Sequence, residues 1–549
     1  MGAKAHESGH RLSVPTFSER FLRAESRSRW SVCCILVIGL VFFFWGRLTL
    51  PPGQFSNADV AGMTYNADLL INGELPYIRS IEGKAPGTFF ITAVVFWIFD
   101  RSIVALWIVF LIWQLLGGIA VWIAARQLYG REAILNCAFA TALFLGSAGQ
   151  FDLNYSAWMT TAYIWAVAAA LVGLRTGKAR WHLFAGVCSI SAFLLKRQAV
   201  MLIPLFPALF FFARKRKQAG ATAGTWGWWS FGAFGGAIPL IIYYAFEGHL
   251  LKLVSSIFPV EAVKSYAAMD SPLSSFELIW LVIVQCYTAF PLAFTLSLAS
   301  LAVVYYERRY PAKVLLKVPF GPQLAFILVS MFAGNLGGPR YYTHYLIQSL
   351  PGLALLAARP GLLVYLGGGP FKGRASRVVR WAILVLLAYS LGLHTYEHAT
   401  GQAVRRDNVS LEGAREAGRY IAANSTEDET IMVWGWTAWP TYYWANRKAP
   451  VLGYKSLGLL TDPNTNSAFF RSAPIHFKRG HHANMLLKAF HQNPPAYFVF
   501  SSYYSTHLHL DSEPLREWDE FMVVLKRKYE IEKTFAEISV FGRRDRKKL

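Results

Sequence analysis

Charge is scarce in this sequence. Charged residues are 16 % of the 549 while hydrophobic residues reach 54 %, where a soluble domain carries roughly a quarter charged. That deficit excludes an ordinary soluble enzyme. Acidic residues are the scarcer kind: 32 Asp and Glu against 54 Lys and Arg give a formal net charge of +22. Cysteine is rare too. The five (Cys33, Cys34, Cys137, Cys188 and Cys286) all sit inside apolar runs, without the spacing of a disulfide framework or a zinc motif. No internal repeat or long low-complexity tract occurs. The first apolar run, Ser31–Leu50, is too long for a signal h-region and has no small-residue cleavage site, so it reads as a retained helix.

Apolar runs are what the sequence has in abundance, with 40 Phe and 19 Trp. Runs near the ~20 residues needed to cross a bilayer recur through the first 395 positions. The fold class expected is a polytopic α-helical membrane protein with about eleven transmembrane helices. Their ranges fall near 31–50, 102–124, 132–149, 157–174, 181–195, 198–213, 226–246, 277–304, 322–336, 343–358 and 378–395. Gly87–Phe99 is short for a span and reads as a partly embedded piece on the outer side. Basic residues gather at helix ends, where the positive-inside rule puts them, so the net charge speaks for a bilayer and not for nucleic acid. The division expected is a basic cytoplasmic N-terminus (1–30), a transmembrane domain (31–395) with a first outer loop at 51–100, and an outer domain (396–549). In the last, helix-like and strand-like stretches alternate, which predicts a small α/β unit.

This topology puts Asp59, Lys84, Asp152, Lys196, Arg197, Arg340 and His344 on one outer face. Lys196 and Arg197, between two short helices, run against the inside bias, and ionisable groups at membrane depth are functional candidates. Transfer of a lipid-phosphate-linked sugar needs a carboxylate to take the acceptor's proton and cations to take the leaving phosphate's charge. Asp59 offers the first, and Lys84, Lys196, Arg197 and Arg340 the second. The bland alternative has Asp59 capping a helix that starts near Val60 and the cations snorkelling to headgroups. His507 and His509, with His481 and His482, lack a clear fourth metal ligand and read as solvated or core residues. Trp434, Trp436 and Trp439 read as core or interface aromatics, with sugar stacking as the alternative.

The opening loop resembles the first outer loop of the integral-membrane glycosyltransferases of the C superfamily, such as protein O-mannosyltransferases and lipid A aminoarabinose transferases. Asp59 lies fourteen residues before Gly73, Pro76-Tyr77 follows, and Lys84-Ala85-Pro86-Gly87 completes the pattern. "FLLKRQAV", "GGPRYYTHYLIQSLPGLALL" and "IMVWGWTAWPTYYWANRKAP" resemble three further stretches of the bacterial branch. Val60 stands where a second acid is usual, Met63 where a tyrosine is frequent and Ser156 where an acid is common. Asp152 either replaces that acid or caps the helix after it, and Glu82 is the other candidate second acid.

The resemblance implies an inverting glycosyltransferase of a bacterial inner membrane, its active site facing the periplasm. Asp59 would be catalytic, and Lys84, Lys196, Arg197, Arg340 and His344 would hold the donor phosphate. The partners implied are a polyprenyl-phosphate sugar (hexosyl or pentosyl), a periplasmic acceptor (glycan, lipid or protein) and the bilayer. No metal, nucleotide or other cofactor is required. The competing class is a transporter or lipid-phosphate-binding protein that uses the same cations without catalysis.

Overall fold

The computed structural model describes residues 29–48, 55, 57–130, 133–148, 151–218, 220–258, 275–309, 320–335, 342–359, 408–454, 481–501 and 516–546, with scattered positions between 362 and 399. The membrane part begins with α1 (Arg29–Leu48), α2 (Asp59–Ile71), α3 (Gly87–Ile98), α4 (Ile103–Tyr129), α5 (Ile134–Ala148), α6 (Tyr155–Thr176) and α7 (Ala179–Leu195). A 3-10 turn, Arg197–Met201, leads into α8 (Leu202–Lys215). It is followed by α9 (Gly224–Phe246), α10 (Leu250–Ile257), α11 (Ser275–Ala289), α12 (Pro291–Arg309) and α13 (Gly321–Asn335). A second 3-10 turn, Thr343–Ser349, runs into α14 (Leu350–Ala357).

Local chemistry sets these boundaries. Ser102 caps α4 by accepting from the Ala105 amide at 3.2 Å, and Asn154 caps α6 by accepting from Ser156 at 2.6 Å. Gly177 closes α6 in the left-handed conformation at φ 70. α6 is the central post, buried on nearly every side. Trp113 and Gln114 of α4 donate to its Trp158 and Ala157 carbonyls at 2.8 and 2.9 Å. These are helix-terminal and side-chain bonds of the kind a low-dielectric core requires. α7 and α9 approach backbone to backbone: a Cβ on Gly186 would fall 2.0 Å from the Trp229 oxygen, and one on Gly232 2.0 Å from that of Leu183. Small residues at such crossings allow tight packing where no hydrophobic drive separates helix from lipid.

Among the described residues, four helical segments are long and apolar enough to cross a membrane: α4, α6, Arg197–Lys215 and α9. The helices near 31–50, 132–149, 181–195 and 322–336 form, but as shorter apolar segments. The span expected at 277–304 is broken, its halves bent by 119°. Pro291 explains the break, since it supplies no amide to continue α11. The span expected at 343–358 is a 3-10 turn and a short helix, with Pro351 in the new helix's first turn. Residues 1–28 of the expected N-terminal segment (1–30) and eight of the eighteen positions of 378–395 lie outside the described residues. The count of about eleven spans is therefore not carried by the described helices.

The C-terminal unit holds α15 (Asn408–Ala423), β1 (Ile431–Trp434), α16 (Thr441–Ala445), α17 (His481–Gln492), β2 (Tyr497–Ser501), α18 (Arg516–Lys528), β3 (Tyr529–Phe535) and β4 (Ile538–Arg543). One sheet runs β1-β2-β4-β3, with β1 and β2 parallel and the other pairs antiparallel. The stretch read as one final strand is a hairpin, turning where Ala536 takes φ 50. Alternation sorts the two faces. Ile431, Val433, Val499, Ile538 and Val540 pack with Leu411, Ala414 and Ile421 of α15. Met432, Trp434 and Phe498 pack with Leu486, Phe490 and Leu525.

Residues 443–454 fasten this unit to the segment between α1 and α4. Arg101, just after α3, donates to both oxygens of Asp68 at 2.7 and 2.6 Å and to the Tyr443 carbonyl at 3.3 Å. Its guanidinium lies 4.9 Å from the centroid of the Tyr443 ring, whose hydroxyl donates to the Arg101 carbonyl. Lys448 pairs with Glu74 at 2.9 Å. The Ala449 amide donates to Tyr65 at 3.1 Å, and Ile81 donates to the Leu452 carbonyl at 2.8 Å.

Candidate active site

Asp59 is the first residue of α2, whose N-cap, Ala58, makes no side-chain cap. The carboxylate is therefore not a cap, although an acid in the first turn suits the helix dipole. Its Oδ2 lies 3.7 Å from Lys84 Nζ, both side chains being partly exposed. The Lys84 ammonium also lies 5.2 Å from the centre of the buried Tyr155 ring.

The loop that carries Lys84 is held along its backbone. Tyr77 Oη donates to the Lys84 carbonyl at 2.6 Å, and Glu82 Oε1 accepts from the Gly83 and Lys84 amides at 2.8 and 3.1 Å. Tyr77 adopts φ 68, a left-handed conformation that side chains rarely take, and Tyr244 fixes the turn by donating to the Pro76 carbonyl at 3.1 Å. Gly87 ends the loop against α7, where a Cβ would lie 2.7 Å from the Leu194 oxygen. Only glycine permits that approach, which brings the Lys84 loop beside Lys196.

Lys196 is an extended residue between α7 and the 3-10 turn. Its ammonium donates to Ser156 Oγ and lies 4.7 Å from the centre of the Tyr345 ring. It feels the charges of Lys84 and Asp59. His344 is T-shaped against Tyr345 at 4.5 Å, stacks on Tyr342 at 5.5 Å, and feels Lys196, Asp59 and Lys84. The Asp59 carboxylate and the Lys84 and Lys196 side chains thus lie close enough to feel one another's charge.

The other expected site residues fall nearby with different duties. Arg197 donates to the carbonyls of Gly83 and Ser256 at 2.6 and 3.0 Å, so its guanidinium fastens the Lys84 loop to α10. Asp152 accepts from the Asn57 side chain, which ties the loop's beginning to the entrance of α6. It does not cap α6, since Asn154 does. Glu82 is buried, and besides two amides it accepts from Tyr454 Oη at 2.5 Å. Arg340, His507 and His509 lie outside the described residues. Among the described residues, no three His, Cys, Asp or Glu side chains gather as metal ligands do. Trp434 and Trp439 are buried in the core, and Trp436 is partly so.

Tyr155 and Tyr454 were not singled out from sequence, and Ser156 was noted only as the place where an acid is common. Tyr155 and Ser156 open α6 just after Asp152, and that nearness is the one local signal Tyr155 carries. Tyr454 carries none, because its partner is 372 residues away.

The bundle of apolar helices, the charged segment between α1 and α3 and the α/β unit fastened to it resemble known structures in their fold. Residues 83–243 match the family model of dolichyl-phosphate-mannose-protein mannosyltransferase. That span takes in Lys84, Asp152, Lys196 and Arg197 but not Asp59 or His344. The chain is similar in structure to ArnT from Cupriavidus metallidurans bound to undecaprenyl phosphate. The identity is 13 % and the TM-score 0.56, and the match covers 94 % of this chain and 98 % of that one. The apo state of the same protein matches at 14 % identity and a TM-score of 0.55, covering 93 % and 97 %. The Archaeoglobus fulgidus oligosaccharyltransferase in its apo form matches at 12 % identity and a TM-score of 0.52, covering 91 % of this chain and 72 % of that one. No curated protein sequence matches the chain. The resemblance read from the opening loop is borne out at the level of the fold.

Proposed function

We propose that the chain is an inverting glycosyltransferase that moves a sugar from a polyprenyl-phosphate donor to an acceptor at the periplasmic face of a bacterial inner membrane. One observation carries the reading: the Asp59 carboxylate lies 3.7 Å from the Lys84 ammonium, with Lys196 and His344 in electrostatic reach of both. The ArnT structure with bound undecaprenyl phosphate supports a lipid phosphate as the donor's leaving group.

In this scheme the acceptor's nucleophilic atom attacks the anomeric carbon and its proton passes to the Asp59 carboxylate. The bond from the anomeric carbon to the phosphate oxygen breaks, and its electron pair leaves with the lipid phosphate. Lys84 and Lys196 take up the charge that develops there, and Arg340 and His344 are kept as further donor-phosphate contacts. Attack from one face and departure from the other inverts the anomeric centre. Arg197 acts through the loop it fastens. The donor lipid is a substrate, and the scheme routes no step through a metal, nucleotide or other cofactor. The outer α/β unit helps to bind the acceptor, whether glycan, lipid or protein.

The test is Asp59→Asn in full-length protein reconstituted in vesicles with a labelled polyprenyl-phosphate sugar. Transfer is expected to fall by about 10²–10⁴-fold while polyprenyl-phosphate binding persists. Unchanged transfer would remove Asp59 from the chemistry. A wild-type protein that binds the lipid phosphate but transfers none of the sugars supplied would favour the non-catalytic reading. Mass spectrometry of envelope glycans from a deletion strain would identify the sugar and acceptor.

A further inference from the structure

We infer that Tyr454, in the C-terminal unit, is a positioning residue that sets the place of Lys84 by holding the Glu82 carboxylate. What Lys84 does rests on the glycosyl-transfer reading above; how it is held rests on the hydrogen bonds.

The connection is a chain of polar groups buried between the first outer loop and the C-terminal unit. Ser80 Oγ donates to Asn66 Oδ1 at 2.5 Å, and Asn66 Nδ2 donates to Tyr454 Oη at 3.2 Å. Tyr454 Oη donates to Glu82 Oε2 at 2.5 Å, and Glu82 Oε1 accepts from the Gly83 and Lys84 amides at 2.8 and 3.1 Å. Ser80, Asn66, Glu82 and Tyr454 are all buried. The Tyr454 ring stacks on Tyr65 at 4.1 Å between centroids, 10° from parallel, which leaves its hydroxyl little freedom to turn elsewhere. Burial, with the Glu82 carboxylate adding to it, pushes the Tyr454 phenol well above its ordinary range. The phenol therefore remains a donor throughout the pH range of the protein's environment.

A buried carboxylate that accepts three such bonds has a single orientation, and a network of this kind fixes the atoms at its ends. Its far end is the Lys84 backbone, one residue's length from the ammonium that meets Asp59. Glu82, a candidate second acid on sequence grounds, is thus engaged in orientation. Tyr454 belongs to the C-terminal unit, so the link joins that unit to the cation of the site.

The experiment uses full-length protein in vesicles, with Tyr454→Phe, Glu82→Gln and Glu82→Ala. Two readouts are followed: transfer kinetics, and deuterium exchange of the backbone peptide spanning 78–90. Phenylalanine keeps the ring stack and removes one hydroxyl. Tyr454→Phe is expected to lower kcat about tenfold, the worth of one well-placed hydrogen bond, with the donor KM changed less than kcat. Glu82→Gln keeps an oxygen for the two amides and should remain closer to wild type than Glu82→Ala, for which about a hundredfold loss is expected from misplacement. Exchange of the 78–90 peptide should quicken in Tyr454→Phe and Glu82→Ala. Unchanged exchange in Tyr454→Phe, with kcat lowered or not, overturns the inference. Equal losses in Glu82→Gln and Glu82→Ala also overturn it, since they would make Glu82 a proton acceptor. Absence of transfer in the wild type would instead overturn the glycosyl-transfer reading, while the exchange data would still decide the link.

Discussion

Replacing Arg101 by methionine should loosen the clamp between the first outer loop and the C-terminal unit, by an amount that the structure allows to be worked out. Two short charge-assisted bonds to Asp68, one bond to the Tyr443 carbonyl and the contact with the Tyr443 ring would go together. Breaking a fully buried pair costs about 3–5 kcal/mol, because a charge is left without its partner. The two side chains here are 27 % and 20 % exposed, so water screens part of that, and about 2–3 kcal/mol remains. For a unit of some 150 residues, at about 3 °C per kcal/mol, the unfolding midpoint of the C-terminal unit should drop by about 6–9 °C.

The loss should also depend on pH. Burial raises the Asp68 carboxyl above its usual range and Arg101 opposes that rise, so removing Arg101 lifts it further. An acid whose folded pKa is raised is favoured in its protonated form, and stability is lost as pH rises through the folded value. The gap between wild type and Arg101→Met should therefore be widest where Asp68 is ionised in both proteins and narrow as the medium is acidified. Tryptophan fluorescence or limited proteolysis on heating in one detergent, at several pH values, would measure it. A midpoint within a degree of wild type, or a gap that does not change with pH, would refute the reasoning.

Two further outcomes are expected. Lys196→Met should lower kcat about 10²-fold, since it removes one of the groups placed at the developing phosphate charge, and a steady-state rate within threefold of wild type would exclude the residue from that role. Gly87→Ala places a methyl 2.7 Å from the Leu194 carbonyl, a backbone atom that yields little. It should cost about 1–3 kcal/mol of stability, and it should slow transfer by moving the Lys84 loop away from Lys196, which thermal midpoints and kcat together would detect.

Local patterns in the sequence carried much of the fold and part of the site. Periodicity and hydropathy located most helices, because a lipid-facing or core-facing stripe is written within each segment. The break at Pro291 was legible in principle, yet a long apolar run on both sides concealed it. The final hairpin was missed because Ala536 and Glu537 are not turn-forming residues; the backbone accepts φ 50 at Ala536 to pair β3 with β4. In the site, Asp59 and Lys84 are 25 positions apart in one loop and were found together. Lys196 and His344 come from distant elements of the bundle, and only the topology and the family resemblance could group them with that pair. The duties of Arg197 and Glu82 depended on which backbone groups lie beside them, and that of Asp152 on the Asn57 side chain, and no pattern of residue types specifies that.

The bond between Glu82 and Tyr454 has a consequence for biogenesis. It spans 372 residues, so the loop that presents Lys84 is synthesised long before its latch has been made. At roughly 5–20 residues per second, that interval is about 20–70 s of translation. During it a nascent chain would already hold the charged residues of the loop and the first helices, but not the donor that orients Glu82. Polypeptides released before Tyr454 would stay unlatched, and a chain would gain its working geometry only after the unit that carries Tyr454 had folded.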